Sequence, residues 1–450
     1  MYEEQNNELV NSFLERTFFK NYRLPKNSKD RCANWSKFEM VLTSTCNLGC
    51  KYCYLHKHGK QLYPDEIKDE DKIINNVSIL TDWLIENKMT PEIELFTGEM
   101  FAQEMNFEVL NVIYNKYKDL NNELKPPIIT VPTNYSFLLD ERTTQRVEEN
   151  IQRFKEIGIR LGLSASVDGK YLEHNRPFTK KHGEDAFIFK AENGDRDDEF
   201  YDKLFAFNKK YKMGFHPMVY SNDMHLWKEN WLWFQENFEK YNIPFNNIYL
   251  LEVRNEEWSQ KQIEDFSEFI EFLIKWTFYK KCNQSPKKFR DFIFKKKGYN
   301  ILSKPLSSVG RGIGCSIQSC LPVRMGDLSV FPCHRTMYDQ FKEFEFTVED
   351  NKITGIRGVN PEMIIAEKTF QGKTLPMCET CVIKESCSLG CLGSQYESTG
   401  EMFSPIPTVC KLEHTLTYTI ARTLDELEML RYVTSISDRC YRTFNNVIRL

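Results

Sequence analysis

No stretch of this chain is apolar for long enough to cross a bilayer, and it does not begin like an exported protein. Its first residues, Met1-Tyr2-Glu3-Glu4-Gln5-Asn6-Asn7-Glu8, are acidic where an export signal is basic and then apolar. The expectation is a cytoplasmic protein with no membrane contact. An excess of charge is missing too: 60 Lys and Arg stand against 64 Asp and Glu, a net charge of -4. That balance excludes global attraction to nucleic acid or anionic lipid, so any polyanion site would be local. Internal repeats and low-complexity tracts are absent, which argues against solenoids and flexible linkers. With 41% hydrophobic and 14% aromatic residues, the composition also excludes a disordered chain.

What the sequence does have is 14 cysteines in 450 residues. In a compartment where thiols stay reduced, metal binding explains them better than disulfides. Cys46, Cys50 and Cys53 form one group, Cys315 to Cys410 contain a second, and Cys32, Cys282 and Cys440 stand apart.

A chain of this length predicts two or three compact units. Short β-rich runs alternate with helical patterns from Phe38 to Phe278, the pattern of strand–helix units around a parallel sheet. Six strands are predicted, at Phe38–Leu42, Ile93–Phe96, Ile128–Pro132, Arg160–Ser166, Gly214–Tyr220 and Ile248–Val253. The expected fold is α/β, a partial (β/α)6 TIM barrel followed by a small cysteine-rich domain. One helix is read over Glu66 to Asn87, where Ile73, Ile74, Val77, Leu80, Trp83 and Leu84 recur at helical steps. The predicted division is an N-terminal extension over 1–36, the barrel over 37–279, a basic bridge over 280–312, the cysteine-rich domain over 313–420, and a C-terminal helix over 421–450, seen most clearly at Asp425 to Tyr432. The basic run from Lys280 to Lys297 reads as a solvated helical bridge or as a docking surface for an acidic peptide.

In such barrels reactive groups gather on the loops after the strands. The first predicted strand runs into Cys46-Asn47-Leu48-Gly49-Cys50-Lys51-Tyr52-Cys53, the spacing C-x3-C-x2-C. Three thiolates can hold three corners of a four-iron cube and leave one iron open. Gly49 is expected to permit a tight turn between them, if the position requires positive φ. A zinc knuckle needs a fourth nearby ligand, for which His56 and His58 are available.

This spacing, with Tyr52 before the third cysteine, resembles the signature of the radical S-adenosylmethionine superfamily. The resemblance implies that the methionine part of the cofactor chelates the open iron. One electron from the cluster then cleaves the sulfonium bond to give a 5′-deoxyadenosyl radical. Thr97-Gly98-Glu99-Met100 resembles the family's Gly-Gly-Glu-Pro turn, which makes Gly98 and Glu99 candidate cofactor-binding residues. Thr133-Asn134-Tyr135 resembles a Thr-Asn-Gly step with its glycine replaced and adds Asn134. Ser164-Ala165-Ser166-Val167-Asp168-Gly169, followed by Arg176, resembles a segment of peptide-modifying members and adds Ser166 and Arg176. Glu252 and Arg254 end the sixth predicted strand, where Glu252 is a candidate catalytic residue or half of a structural ion pair.

The second cysteine group has the spacing C-x2-C-x5-C-x3-C from Cys378 to Cys391, flanked by Cys315, Cys320, Cys333 and Cys410. It resembles the SPASM domain of enzymes that modify ribosomally made peptides. The resemblance implies two auxiliary 4Fe-4S clusters, one on Cys315, Cys320, Cys333 and Cys391, the other on Cys378, Cys381, Cys387 and Cys410, three clusters in all. Both would be fully ligated, which suits electron transfer; purely structural clusters and zinc in the four-cysteine sites are the alternatives. The family's glycine before the residue matching Cys333 is replaced by Leu328, with Gly326 two residues earlier. His334 stands where sulfatase-maturing members have an aspartate base, a departure that argues against sulfatase maturation; His334 is a candidate base or a hydrogen-bond donor beside a ligand.

The expected function is a radical peptide maturase that oxidises a precursor peptide or cross-links it through a thioether or carbon–carbon bond. Its electron donor would be a flavodoxin or ferredoxin. Because the residues before Cys46 show no compact module, leader recognition is assigned to the barrel, to the basic bridge or to a separate leader-binding protein. The competing readings are a dehydrogenase acting on a small molecule or on a sulfatase Cys or Ser, and a non-catalytic iron–sulfur electron carrier.

Overall fold

The computed structural model describes residues 37–87, 92–120, 127–178, 188, 196–243, 248, 250–252, 257–295, 300–307, 320–360, 375–387 and 390–449. Cys32, Cys315, Arg254 and the extension before Lys37 lie outside them. The strands in chain order are β1 (Lys37–Val41), β2 (Glu92–Phe96), β3 (Ile128–Thr133), β4 (Arg160–Ala165), β5 (Gly214–Phe215), β6 (Met218–Val219), β7 (Leu251–Glu252), β8 (Cys320–Arg324), β9 (Ser329–Val330), β10 (Phe344–Glu349) and β11 (Lys352–Gly358). Two compact units divide them: Met1–Ser164, Arg176–Asp195 and Ser316–Thr369 form the first, and Ala165–Asn175, Arg196–Cys315 and Phe370–Leu450 the second.

In the first unit the strands run in the order β11-β10-β9-β8-β1-β2-β3-β4. β1 is central. It pairs in parallel with β2, Glu39 opposite Glu94, and in parallel with β8, Glu39 opposite Pro322. Strand periodicity divides the faces. Ile93 and Leu95, Ile129 and Val131, and Leu161 and Leu163 are buried, whereas Glu92, Glu94, Thr130, Gly162 and Ser164 line a half-buried polar face. The helices α1 (Tyr54–Leu62), α2 (Glu70–Glu86), α3 (Glu104–Tyr117) and α4 (Glu141–Glu156) follow the strands in alternation, which is the predicted α/β class.

The helix read from Glu66 begins four residues later. Asp65–Ile67 is a 3-10 turn, and Asp69 then caps α2 by accepting from the Lys72 amide at 3.0 Å, worth about 1 kcal/mol. α2 buries Ile73, Val77, Leu80 and Leu84 along one stripe. The three antiparallel strands β9, β10 and β11 extend the sheet beyond β8, with Val323 opposite Val330.

The second unit is mainly helical. The predicted strand Gly214–Tyr220 is two short pieces, because His216-Pro217 interrupts it: a proline has no amide hydrogen for the ladder. β6 pairs in parallel with β7, Met218 opposite Leu251. The helices are α5 (Asp198–Tyr211), α6 (Trp227–Lys240), α7 (Gln260–Trp276), α8 (Pro286–Lys295), α9 (Asn300–Ser307), α10 (Pro376–Glu379), α11 (Leu392–Thr399), α12 (Pro407–Glu426), α13 (Leu430–Val433) and α14 (Asp438–Ile448). α8 carries part of the predicted basic run and buries Phe289 and Ile293, so it has a core face as well as a solvated one. Where periodicity predicts one last helix over Asp425–Tyr432, the chain ends α12 at Glu426, turns, and adds α13 and α14. α12 packs on α7 through Ser267 and Thr419 hydroxyls 2.7 Å apart and an Arg422–Glu271 ion pair. Among the described residues no helix is long and apolar enough to cross a membrane.

Candidate functional site

The loop after β1 carries Cys46, Cys50 and Cys53, and the loops after β2 and β3 hold it in place. The backbone of Thr43 and Thr45 accepts hydrogen bonds from the amides of Gly98 (3.1 Å) and Glu99 (3.0 Å). The approach is so close that a Cβ on Gly98 would stand 2.2 Å from the Thr45 carbonyl oxygen. Only glycine fits there. Gly49 has no positive φ, so the turn between the cysteines does not need glycine for that reason; its amide bonds the Pro177 carbonyl at 2.7 Å. Leu48 bridges Phe178 next to it, so 176–178 lies along the loop.

Glu99 is buried at 1% exposure and accepts from the Thr133 hydroxyl (2.6 Å), the Asn134 amide (2.7 Å) and the Phe101 amide (3.1 Å). Its backbone carbonyl accepts from Asn106 at 3.2 Å. The carboxylate therefore joins the β2 and β3 loops. Asn134 continues the network: its Nδ2 donates to Asn47 at 2.9 Å and lies 3.9 Å from Cys46 Sγ, while its Oδ1 accepts from the Ser136 amide. Asn47 in turn donates to the Ser136 hydroxyl. Tyr135, which replaces the expected glycine, adopts φ +63°, the left-handed region. Leu328, the second replacement, has φ +57°. Both positions keep the backbone conformation that favours glycine, and both side chains are buried.

The thiols are neighbours, and the three cysteines are half-buried. Burial pushes the Cys46 thiol well up, and Cys50 and Glu99 nearby add to the shift. Burial also raises Cys53, opposed by the His56 and Leu55 amides at the start of α1 and by Arg176 and Arg335. Arg176 Nη1 is 4.0 Å from Cys50 Sγ, and its guanidinium lies 5.3 Å from the Tyr52 ring centroid. His56 Nε2 is 2.6 Å from the Leu48 carbonyl. A carbonyl only accepts, so that nitrogen carries hydrogen and is not available to zinc. His58 packs edge-on against Tyr338. Three thiols on one loop, with His56 engaged by a carbonyl, fit the sulfur ligation of an iron–sulfur cluster.

His334 also lies in this unit. Its Nδ1 is 2.9 Å from Glu39 Oε2, and its ring stacks on Phe96 with centroids 4.3 Å apart. Glu39 is ion-paired with Lys37 at 3.5 Å, and Lys37 pairs with Glu94. Burial raises the Glu39 carboxyl, but His334 and Lys37 outweigh it and hold it at about 2. An ionised carboxylate only accepts, so Nδ1 donates and Nε2 is the nitrogen left for exchange. Sequence reasoning missed Glu39 because one charge inside an apolar run gives no hint of a partner almost three hundred residues away. Cys333 has the Arg335 amide 3.4 Å from its sulfur. Cys320 opens β8, and the β8–β9 pairing runs from Arg324 and Ser329 to the Phe331 amide, which bonds the Pro322 carbonyl at 3.1 Å, two residues before Cys333.

The second unit holds the remaining residues. Ser166 is half-buried after β4. Asp168 is fully buried and structural there: its carboxylate accepts from the Met218 amide at 2.8 Å and its carbonyl from Asn230 at 2.8 Å. Gly169 has φ +106°, and a Cβ would stand 2.4 Å from Asn230. Glu252 ends β7. Cys378, Cys381, Cys387 and Cys410 line one cavity of about 500 Å³, with Met377, Val382, Ile383, Ile406 and Val409 around them. Cys391 precedes α11 and is not in that lining.

No family model matches the chain, and no curated protein matches it. Solved structures do. Native anSMEcpe, an anaerobic sulfatase-maturating enzyme of the radical SAM type with a SPASM domain, with bound AdoMet and Cp18Cys peptide, is 18% identical at a TM-score of 0.53; the match covers 90% of this chain and 99% of that one. Polyhistidine-tagged anSMEcpe with bound AdoMet is 16% identical at a TM-score of 0.56, covering 91% and 98%. The chain has the fold of radical SAM enzymes with a SPASM domain. That fold places the Cys46 loop at the carboxyl ends of parallel strands, where barrel chemistry is found.

Proposed function

We propose that this chain is a radical S-adenosylmethionine enzyme that modifies a peptide, with three 4Fe-4S clusters. The observation that carries the reading is the loop of three cysteines, and three only, braced by Gly98, Glu99 and Asn134 and faced by Arg176. Cys46, Cys50 and Cys53 would hold three corners of one cluster and leave an iron for the amino and carboxylate groups of the cofactor. When bound, that cluster supplies the electron that breaks the sulfonium bond. Glu99 and Asn134 fix the rim of the site, Arg176 supplies a cation for a carboxylate, and Ser166 meets the cofactor or substrate.

The cavity of Cys378, Cys381, Cys387 and Cys410 supports their assignment to one auxiliary cluster. Cys320 and Cys333 flank the paired strands β8 and β9, which supports their assignment to the other, with Cys315 and Cys391. Closed four-thiolate clusters carry electrons away from the substrate, and a flavodoxin or ferredoxin is the electron donor. The substrate is a precursor peptide, joined through a thioether or carbon–carbon bond and delivered by this chain or by a separate leader-binding protein; a neighbour of the same fold holds a peptide. One contact favours a second reading, oxidation of a Cys or Ser side chain as in sulfatase maturation: the Glu39-anchored His334, which can take the proton that the oxidised group gives up.

Anaerobic incubation with S-adenosylmethionine and reductant tests the shared claim. Formation of 5′-deoxyadenosine is expected, and its absence from iron- and sulfide-replete protein would refute it. Mass spectrometry of a co-expressed candidate peptide separates the readings: loss of two hydrogens with a new cross-link marks the maturase, and conversion of a Cys or Ser to an aldehyde marks the alternative.

A further inference from the structure

The cavity formed by Cys378, Cys381, Cys387 and Cys410 contains a fifth donor that the cluster assignment does not use. His414 lies one helical turn beyond Cys410 on α12, so both side chains leave the same face, and its imidazole lines the cavity. Its Nε2 is 3.3 Å from Cys381 Sγ. We infer that His414 is a positioning residue of this auxiliary cluster, donating a hydrogen bond from Nε2 to the Cys381 thiolate and setting the potential at which the cluster takes up an electron. The inference rests on the reading of these four cysteines as cluster ligands.

Hydrogen ownership decides the direction of the contact. Iron-bound Cys381 is a thiolate with no hydrogen to give, so the hydrogen is on Nε2. Lys384, the cation in the lining, has its ammonium on the Glu379 carbonyl at 2.9 Å. The cysteine-bearing turn is itself held by backbone bonds, from Cys381 to the Cys378 carbonyl at 3.2 Å and from Cys387 to the Ile383 carbonyl at 2.9 Å. A fixed thiolate thus meets a donor on a long helix. Reduction adds one negative charge to the cluster, and a hydrogen bond to a ligand sulfur stabilises the more negative state. The apolar side chains of Val382, Ile383, Ile406 and Val409 line the cavity, and the contact itself is at its exposed side. One electron enters and one leaves, with no bond made or broken at His414.

The test is an anaerobic redox titration of the full-length reconstituted protein, followed by electron paramagnetic resonance. The signal of this cluster is identified as the one lost in Cys378→Ala. His414→Phe should keep the iron and sulfide of the parent while its one-electron reduction becomes about three- to tenfold less favourable, tenfold being about 59 mV. His414→Gln, which restores an N–H, should recover most of the shift. An unchanged midpoint in His414→Phe would overturn the inference. So would loss of this cluster's iron in His414→Phe together with its retention in Cys381→Ser, because His414 would then be a ligand. Failure of the underlying cluster reading looks different: the parent protein itself would carry zinc and no sulfide.

Discussion

Replacing Glu99 by glutamine changes one atom and removes one charge, yet it attacks the point where two loops are joined. The carboxylate accepts from Thr133, Asn134 and Phe101 at 2.6, 2.7 and 3.1 Å. A glutamine must turn its NH2 toward one side. Toward Asn134 it faces an amide hydrogen that cannot reverse; toward Thr133 and Phe101 the hydroxyl can turn to accept, but the Phe101 amide cannot. At least one bond to a charged acceptor becomes a donor–donor clash. Hydrogen bonds to charged groups are worth about 1.5–3 kcal/mol. The buried charge of Glu99 has its own desolvation cost, which glutamine relieves in part, so the expected net loss is about 2 kcal/mol. For a unit of this size that is a fall of about 4–8 °C in Tm. Because Asn134 also contacts Asn47 and lies near Cys46, 5′-deoxyadenosine formation should fall by tenfold or more, with the auxiliary clusters intact. Differential scanning calorimetry under reducing, anaerobic conditions and a single-turnover assay measure both. A variant with parental Tm and parental turnover would refute the reasoning that Glu99 holds these loops together.

Three further outcomes follow from neighbouring contacts. Gly98→Ala forces a methyl group to 2.2 Å from the Thr45 carbonyl, so the cysteine loop must move; cofactor cleavage should fall by about a hundredfold or more, roughly what a displacement of an ångström at the reacting centre costs, and a variant with parental turnover would contradict the geometry. Glu39→Gln removes a carboxyl held at about 2 against an unfolded value near 4.3. A depressed carboxylate stabilises the fold above its unfolded pKa and loses that contribution as pH falls through the folded value, so the parent should be more stable than Glu39→Gln by about 3 kcal/mol at pH 6 and by little near pH 2; equal denaturant midpoints at pH 6 would sink this reading. Asp168→Ala leaves the Met218 N–H without its acceptor and should destabilise the second unit by about 1–3 kcal/mol, visible in its melting transition, while a parental transition would show that the buried carboxylate is not the brace described.

The parts of the fold that were legible in the sequence are those with local signals. Period-two and period-3.6 patterns located β1 to β4 within a residue or two and the apolar stripe of α2. They missed the N-cap at Asp69, where a 3-10 turn mimics the start of a helix, and the break at Pro217, a local signal that was read through. The cysteine groups are legible as groups because their spacing is local in the sequence, and the structure places Cys378, Cys381, Cys387 and Cys410 around one cavity. The bracing of the site was not, since Glu99, Asn134 and Asn47 come together from three loops. Glu39 and His334 meet through β1 pairing with β8, a relation that no local pattern encodes. His414 could have been found: its spacing of four residues from Cys410 on a helical pattern puts it on the same face. The substituted glycines teach the converse. Tyr135 and Leu328 hold positive φ without glycine, so packing outweighs a cost of about 1–2 kcal/mol at each.

The most direct measurement is made on protein in which Cys46, Cys50 and Cys53 are all alanine, assayed anaerobically for iron, labile sulfide and 5′-deoxyadenosine. The parent should carry about twelve irons, and the variant should lose about four of them while keeping the auxiliary clusters. It should form no 5′-deoxyadenosine. A variant that still cleaves the cofactor at the parental rate, or a parent whose metal is zinc without sulfide, would contradict the account.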